Sequence, residues 1–501
     1  MSFRWTDRRI REALGLNPRR AQDDVVFSGI STDSRSVDRG ELFVALSGEN
    51  YDGHDFVTDA MARGAAGAVV SRAVAMEETA RLYPVEDTLV ALGRLAAHRR
   101  RALGPRVVAV TGSSGKTTVK DLLREVLTDN FRIHATPGNL NNRIGLPLTI
   151  LAAPADAEVL VLEMGTNEPG EIRALTEIAE PEVGIIVTVS ETHLEKLGSL
   201  EGVLEEKLEL FRGLPAEGFA VVGDEPPILA TEGHRACAPE VVFRVAGWSR
   251  RADAELRPED AEITEGGCFR FRWQGEQVGL RLPGRHSVQN ALLALAVARI
   301  MGVPAREAAA RVGGVAPSAM RSEIRTLGTL TVVVDCYNAN PQSVRAALDL
   351  LETIQQLGPR VAVLGSMLEL GSRSRVLHRE ALEEALRRPL DTVVATGLFA
   401  EAAGELPETS SPGKEGPELL VAPDLEEVGA VLETRLEGTE TLLLKASRGV
   451  AMERLVPALE ERFGGSAPAP GCPGGSGASP DKATDPATDP GPDPDPAEEE
   501  A

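Results

Sequence analysis

Gly112-Ser113-Ser114-Gly115-Lys116-Thr117-Thr118 has the composition of a turn that holds phosphate. Glycines let backbone N–H groups crowd around phosphate oxygens, and a helix beginning there adds partial positive charge. Lys116 would reach the β- and γ-phosphates of ATP, and Thr117 would place a hydroxyl on Mg2+. The full P-loop pattern is incomplete, because Val110 stands where its first glycine belongs. The apolar run Val107–Val110 nevertheless supplies the strand that a strand-turn-helix phosphate site requires. Three further side chains could work beside this turn. Glu163 closes the run "AEVLVLE", where a carboxylate could hold Mg2+ or simply cap a helix. His193 follows "VGIIVTVSET" as either a metal ligand near a strand end or an ordinary loop residue. Lys207 lies among Glu205, Glu206 and Glu209 in "LEEKLELF", which reads most simply as an ion-paired, solvated helix face.

Positioning these groups takes a sheet. From about 105 to 315 apolar runs alternate with amphipathic segments, and Val107–Val110, Val159–Leu162, Gly184–Val189 and Phe219–Val222 read as strands. That alternation predicts a mainly parallel sheet with helices on both faces. Residues 320 to 464 repeat the pattern in "TLTVVVD", "RVAVLG", "DTVVATG", "ELLVA" and "TLLLK". Each run ends near a polar residue or glycine, and open α/β sheets bind ligands beyond the carboxyl ends of their strands. Two such domains facing each other make a cleft. Ahead of them, the strand-like runs Val25–Phe27, Leu42–Leu46 and Ala68–Val70 and a helical stretch near Val57–Arg63 indicate a smaller module.

The expected class is α/β with three domains. They are an N-terminal module over 1–102, a P-loop-like doubly wound sheet over 103–315 and a Rossmann-like domain over 316–464. From Gly465 the chain turns to Pro, Gly, Ser and Asp, so 465–501 is expected to be a disordered acidic tail. At 501 residues the chain is too long for one core. Its net charge of -23 argues against nucleic acid, whose phosphates need clustered Lys and Arg. No apolar stretch spans a bilayer and "MSFRWTDRRIREALG" lacks a signal-peptide core, so a soluble cytoplasmic chain without membrane insertion is expected. Cys237, Cys268, Cys336 and Cys472 form neither a zinc pattern nor a disulfide framework.

Taken together, these motifs resemble the Mur ligases, ATP-dependent amide-forming enzymes of peptidoglycan synthesis. That family orders a T-G-x-x-G-K-T-T loop, a metal-binding Glu, a metal-binding His and a carbamylated Lys as Thr111–Thr118, Glu163, His193 and Lys207 are ordered here. The resemblance runs from residue 25 to 455. "STDSRSVDRGELFVALSGENYDGHDF" is similar to the family's uridine-nucleotide module, with Asp33, Ser34 and Arg35 as its recurring trio. "TPGNLNNRIGLPLT" resembles the loop that meets the sugar-peptide substrate through Asn139, Asn141 and Asn142. "LPGRHSVQNALLALAVA" implies His286 and Asn290 near adenine.

"DCYNANPQS", "VLGSMLELG" and "LLLKASRGVAMERLV" resemble the members that add D-alanyl-D-alanine. The implied substrates are UDP-N-acetylmuramoyl-tripeptide and D-alanyl-D-alanine, joined through an acyl phosphate. Tyr337, Asn338 and Asn340 would touch substrate, Asp335 the ATP ribose and Arg321 the phosphates or adenine. Two Mg2+ ions, carbamylated Lys207 and a monomeric enzyme complete the implication. Two departures stand out: Met320-Arg321 where the family often has Gly-Arg, and Gly365-Ser366-Met367 where Gly-Asp-Met is usual. The competing readings are another amide ligase of the same fold, such as a folate-polyglutamate type or a different Mur ligase, and an inactive nucleotide-responsive scaffold.

Overall fold

The protein was analysed as a computed structural model, which describes residues 3–19, 24–48, 51–75, 80–264, 266–355, 358–406, 416–464 and 467–468. Its centre is a six-stranded parallel sheet. The strands lie in the order Val242–Ala246, Phe219–Gly223, Val183–Ile186, Arg106–Thr111, Val159–Glu163 and Ile133–Ala135. Successive side chains of a strand point to opposite faces, and here both faces are covered. Val108 and Val110 pack with helices Lys116–Leu127 and Arg285–Ile300, while Val107 and Ala109 pack with Glu171–Ala179 and Leu200–Arg212. The apolar runs are continuous because no face of these strands meets water.

A three-stranded antiparallel sheet, Glu259–Ile263, Cys268–Trp273 and Glu276–Pro283, leads into the helix Arg285–Ile300. The alternation that predicts a parallel sheet gives no sign of it. Cys237 and Cys336 are free thiols, but Cys268 is disulfide-bonded. This corrects the expectation of no disulfide, since cysteine spacing along the chain carries no mark of which thiols the fold brings together.

The C-terminal domain holds a seven-stranded sheet in the order Glu418–Val421, Thr392–Ala395, Arg360–Leu364, Thr441–Lys445, Leu330–Asp335, Glu323–Leu327 and Ala467–Pro468. The first five run parallel, and Glu323–Leu327 is antiparallel to both neighbours. The pairing of Ala467 with Thr326 and of Pro468 with Arg325 carries structure past the boundary expected at 464. An edge ladder needs only backbone groups, so the lack of large apolar residues did not prevent it. The rest of the expected disordered tail, 465–466 and 469–501, lies outside the described residues.

The N-terminal module has a four-stranded parallel sheet, Ile30–Ser31, Leu42–Val44, Gly67–Val70 and Leu82–Pro84, and a pair formed by Trp5–Thr6 and Val26–Phe27. Its helix Thr88–Leu103 starts at Asp87, whose Oδ1 accepts from the amides of Leu89 (2.7 Å) and Val90 (3.0 Å), and stops at left-handed Gly104. This helix packs on Asp7–Leu14 on one side and on Gly145–Ala152 and Glu171–Ala179 of the central domain on the other. Arg99 donates to the Ala153 carbonyl (2.6 Å) and Arg100 to that of Ile178 (3.1 Å). Residue 102, the expected boundary, therefore falls in the last turn of a helix shared by both units.

Candidate active site

The phosphate turn connects Arg106–Thr111 to the helix Lys116–Leu127. Gly115 has φ 81, and a Cβ there would lie 2.8 Å from Val187 and 2.9 Å from the Asn290 side-chain oxygen, so both backbone and space demand glycine. Asn290 thus abuts the turn. The Lys116 Nζ donates to the Gly112 carbonyl at 2.8 Å. Burial lowers the Lys116 pKa, the Glu163 carboxylate opposes that shift and Arg321 adds to it. Those influences place a carboxylate from the next strand and a guanidinium from the C-terminal domain around one ammonium.

The strand expected to run to Val189 ends at Ile186, because the following segment bonds to the turn instead of to the sheet. The Ser113 amide donates to the Thr188 carbonyl (2.9 Å), and the Ser113 hydroxyl donates to the Ser190 carbonyl (3.1 Å) while accepting from the Ser190 amide (2.9 Å). Ser113 is buried by these contacts and serves the turn's shape. The same segment delivers His193 at φ 53, just ahead of the short helix Leu194–Leu197. His193 Nδ1 lies 2.5 Å from Glu369 Oε2 of the C-terminal domain, and this contact holds the Glu369 carboxyl below its usual pKa.

Glu163 is 2 % exposed. Its Oε1 accepts from Asn141 Nδ2 at 2.8 Å, whereas Oε2 is buried with no hydrogen-bond partner among the described residues. A buried carboxylate oxygen without a partner is costly, and it is well suited to a cation. Asn141, expected to meet substrate, also orients this carboxylate, and Asn142 accepts from the Ile144 (3.1 Å) and Gly145 (2.8 Å) amides where the helix Gly145–Ala152 begins. Asn139 is exposed at the cleft.

Lys207 overturns its plain expectation. It is 2 % exposed and makes no hydrogen bond or ion pair among the described residues. Its acidic neighbours are engaged elsewhere: Glu205 and Glu209 pair with Arg212, and Glu206 accepts from the amides of Gly170 (2.6 Å) and Ile172 (2.7 Å). Burial first, then the Lys116 charge, push the Lys207 pKa down to about 7, with Glu206 opposing. Charge spacing alone could not tell the solvated face of this helix from the face packed on the sheet.

The opposite wall belongs to the C-terminal domain. Asp335 ends its strand with Oδ2 2.8 Å from Lys445 Nζ and Oδ1 accepting from the Ser322 amide (3.1 Å). Lys445 is 2 % exposed and also donates to the Asn338 carbonyl (2.8 Å). Arg321 lies over the Tyr337 ring at 3.8 Å. Met320 has φ 59, so the glycine often found here in the family would relieve a backbone that this chain imposes on a large side chain. Asn340 caps the helix Pro341–Thr353, accepting from the Ser343 amide (2.8 Å), and its Nδ2 donates to Ser114 Oγ (3.1 Å) across the cleft. Ser366 accepts from the Leu398 amide (3.0 Å), so the missing carboxylate leaves a helix-end contact and no lining group. His286 faces this wall from the central domain: burial lowers its pKa, Asp335 raises it and Lys445 lowers it.

Between the walls is a cleft of about 870 Å3. It brings together Ser113 to Thr118, Asn139, Asn141, Asn142, Glu163, His193, His286, Asn290, Arg321, Asp335, Tyr337, Asn338 and Asn340. Lys207 and Gly112 stand behind its lining, and the Asp33–Arg35 turn lies apart on the N-terminal module. There Arg35 pairs with Asp33 at 3.1 Å and holds that carboxyl below its usual pKa. Lys445, Glu369 and Trp248 also line the cleft and were not picked out in the sequence. Lys445 had a signal, as the polar end of "TLLLK". Glu369 and Trp248 had none, because only the fold brings them to the opening. Among the described residues no three His, Cys, Asp or Glu side chains cluster into a metal cage, and no helix is long and apolar enough to cross a membrane.

Comparison with known proteins gives three consecutive family matches. The Mur ligase family catalytic domain matches residues 26–100, the Mur ligase middle domain 110–298 and the Mur ligase glutamate ligase domain 320–448. The UDP-N-acetylmuramoyl-tripeptide--D-alanyl-D-alanine ligase of Bacillus subtilis is 36% identical over 448 residues, covering 88% of this chain and 94% of that protein. Among solved structures, a MurF crystal structure from Acinetobacter baumannii aligns with TM-score 0.81 at 30% identity, covering 92% of this chain and 100% of that one. MurF ligase from Thermotoga maritima in complex with ADP aligns with TM-score 0.75 at 30% identity, covering 87% and 97%.

Proposed function

Since the chain belongs to the Mur ligase family, we propose that the cleft between its central and C-terminal domains is where a peptide carboxylate is activated and an amine captured. The protein is an ATP-dependent ligase that joins D-alanyl-D-alanine to UDP-N-acetylmuramoyl-tripeptide in peptidoglycan precursor synthesis. One observation carries the site assignment: the turn bearing Lys116 and the unpartnered oxygen of Glu163 face Asp335 and Tyr337 across one cleft.

The tripeptide's terminal carboxylate attacks the γ-phosphorus, giving an acyl phosphate and ADP. The amine of D-alanyl-D-alanine then adds to the activated carbonyl, and collapse of the tetrahedral intermediate expels phosphate. Carboxylate and triphosphate repel each other, so the site must supply positive charge where they meet. Lys116 leaves the Gly112 carbonyl to do so, helped by Arg321. Thr117 and Glu163 would hold one Mg2+ and His193 with carbamylated Lys207 a second, supplying further positive charge against the triphosphate. The buried Glu163 oxygen, unpartnered among the described residues, and the Lys207 amine, whose pKa pushed down to about 7 gives it a neutral fraction able to take up CO2, fit those parts. Mg2+ keeps waters and takes phosphate oxygens, so it needs no ready-made protein cage.

Asp335 would bind the ribose, His286 and Asn290 the adenine end, and Tyr337, Asn338 and Asn340 the incoming dipeptide. Asn139, Asn141 and Asn142 would meet the sugar-peptide. Residues 1–102 would hold the uridine nucleotide through Asp33, Ser34 and Arg35, residues 103–315 the ATP, and 316–464 would close the cleft. The reading includes a cytoplasmic monomer. Incubating the protein with ATP, Mg2+, D-alanyl-D-alanine and UDP-tripeptides ending in lysine or diaminopimelate should yield the pentapeptide mass with equimolar phosphate. No mass gain with either tripeptide, with ATP present, would overturn it.

A further inference from the structure

His193 and Glu369 come from different domains and meet at the opening of the cleft. Both hold left-handed backbones, at φ 53 and φ 64, which residues other than glycine rarely adopt. Such conformations persist where the surroundings fix them, and the Glu369 loop is firmly fixed. The Met367 amide donates to His378 Nε2 (2.9 Å) and the Leu368 amide to Ser447 Oγ (3.0 Å). At Gly371, a Cβ would stand 3.1 Å from the Glu195 Cα, so the loop is seated directly on the helix that follows His193. Glu369 Oε2 lies 2.5 Å from His193 Nδ1, a nitrogen with no aligned hydrogen bond among the described residues.

Resting on the reading of His193 as a metal ligand, we propose that Glu369 is a positioning residue. By accepting a hydrogen bond from the Nδ1–H of His193 it fixes the imidazole tautomer and ring, leaving the Nε2 lone pair available to the metal. Ligating histidines generally give their second N–H to a carboxylate or carbonyl, and loss of that partner lowers metal affinity roughly 10- to 100-fold. Glu369 reaches His193 from the C-terminal domain, so the ligand is oriented only while that domain is docked. Metal affinity and domain docking are thereby linked.

Mn2+ tests this, as a paramagnetic ion suited to the same oxygen-rich sites as Mg2+. The full-length chain with ADP is titrated with Mn2+ by electron paramagnetic resonance, and spin-echo modulation from imidazole nitrogen is recorded. Glu369 has a 55% exposed side chain, so its variants should fold with unchanged melting temperature. Glu369→Ala is expected to weaken the His193-dependent Mn2+ site roughly 10-fold or more and to reduce the nitrogen modulation. Glu369→Gln, whose amide oxygen still accepts a hydrogen bond, should restore part of both. Combining Glu369→Ala with His193→Ala should weaken Mn2+ no further than His193→Ala alone. Wild-type Mn2+ binding and modulation in Glu369→Ala, with both lost in His193→Ala, would overturn the proposal and leave His193 as a ligand. Wild-type behaviour in His193→Ala would overturn the ligand assignment and this proposal with it.

Discussion

Around the phosphate turn Lys116, Glu163 and Lys207 have no ion-pair partner among the described residues, whereas on the C-terminal wall Asp335 and Lys445 are paired. Lys116 rests on a carbonyl of its own turn, Glu163 has one oxygen with no hydrogen-bond partner, and Lys207 is buried with no partner among the described residues. Across the gap Asp335 and Lys445 are paired, Arg321 covers Tyr337, and Asn340 caps a helix. The first wall resembles half of an ionic lattice, stable in charge only when a polyanion and its cations arrive. The second is complete in itself and acts through where it is placed. Substitutions on the first should therefore remove activity with little loss of stability, and substitutions on the second should cost stability as well.

The largest effect is expected at Lys116. Lys116→Ala should lower turnover about 100-fold or more, because single electrostatic stabilisers are worth that much, while the melting temperature stays close to wild type. Retention of more than about a tenth of the activity in a phosphate-release assay would break the contrast. Next comes Lys207→Ala, expected to be nearly inactive and partly rescued by acetate, which can stand in for a carbamate oxygen donor. Lys207→Arg should resist rescue, because the guanidinium fills the space. Full activity in Lys207→Ala would make the residue structural.

On the other wall, Lys445→Met strands the Asp335 carboxylate and should cost roughly 3 kcal/mol in denaturant titration. The double variant with Asp335→Asn should recover much of that, since replacing a buried pair entirely is far milder than breaking it. Equal losses in single and double variants would show that the pair is not the source.

The last test sharpens the contrast through pH. Lys207 titrates near 7 in the folded protein and about 10.4 when unfolded. Between those values the unfolded chain binds a proton that the folded chain does not, so stability rises with pH across that window. The penalty is complete below about pH 7 and gone above about pH 10.4. In CO2-free buffer, Lys207→Met should raise the melting temperature most below pH 7, with the gain shrinking toward pH 10; a pH-independent gain would show that burial does not depress this amine.

What could be read in advance follows the range of the physics. Val107–Val110 and the Gly-Lys-Thr turn were legible because strand, turn and helix start are contiguous and the chemistry is local. Glu163 was legible as a residue at a strand end, but its oxygen without a partner depends on Asn141, which lies on another segment. The burial of Lys207 depends on which helix face meets the sheet, and a run flanked by glutamates carries no mark of that. Pairings between remote segments, such as Asp335 with Lys445 and His193 with Glu369, exist only once two domains stand opposite each other. The sheet from Glu259 to Pro283 escaped because its strands are short of the apolar runs that reveal parallel ones.

The helix Thr88–Leu103 packs on the N-terminal module and the central domain alike. Its 16 residues make a rod about 24 Å long, held at its far end by arginine bonds to two carbonyls of the central domain. On the proposed reading, with the uridine end at Asp33–Arg35 and the reacting end at Lys116, such a rod would turn the protein into a gauge. A donor would be accepted for how far its carboxylate extends from its nucleotide as much as for the groups it bears. One peptide unit too few would leave the carboxylate short of the turn, however tightly the nucleotide was held.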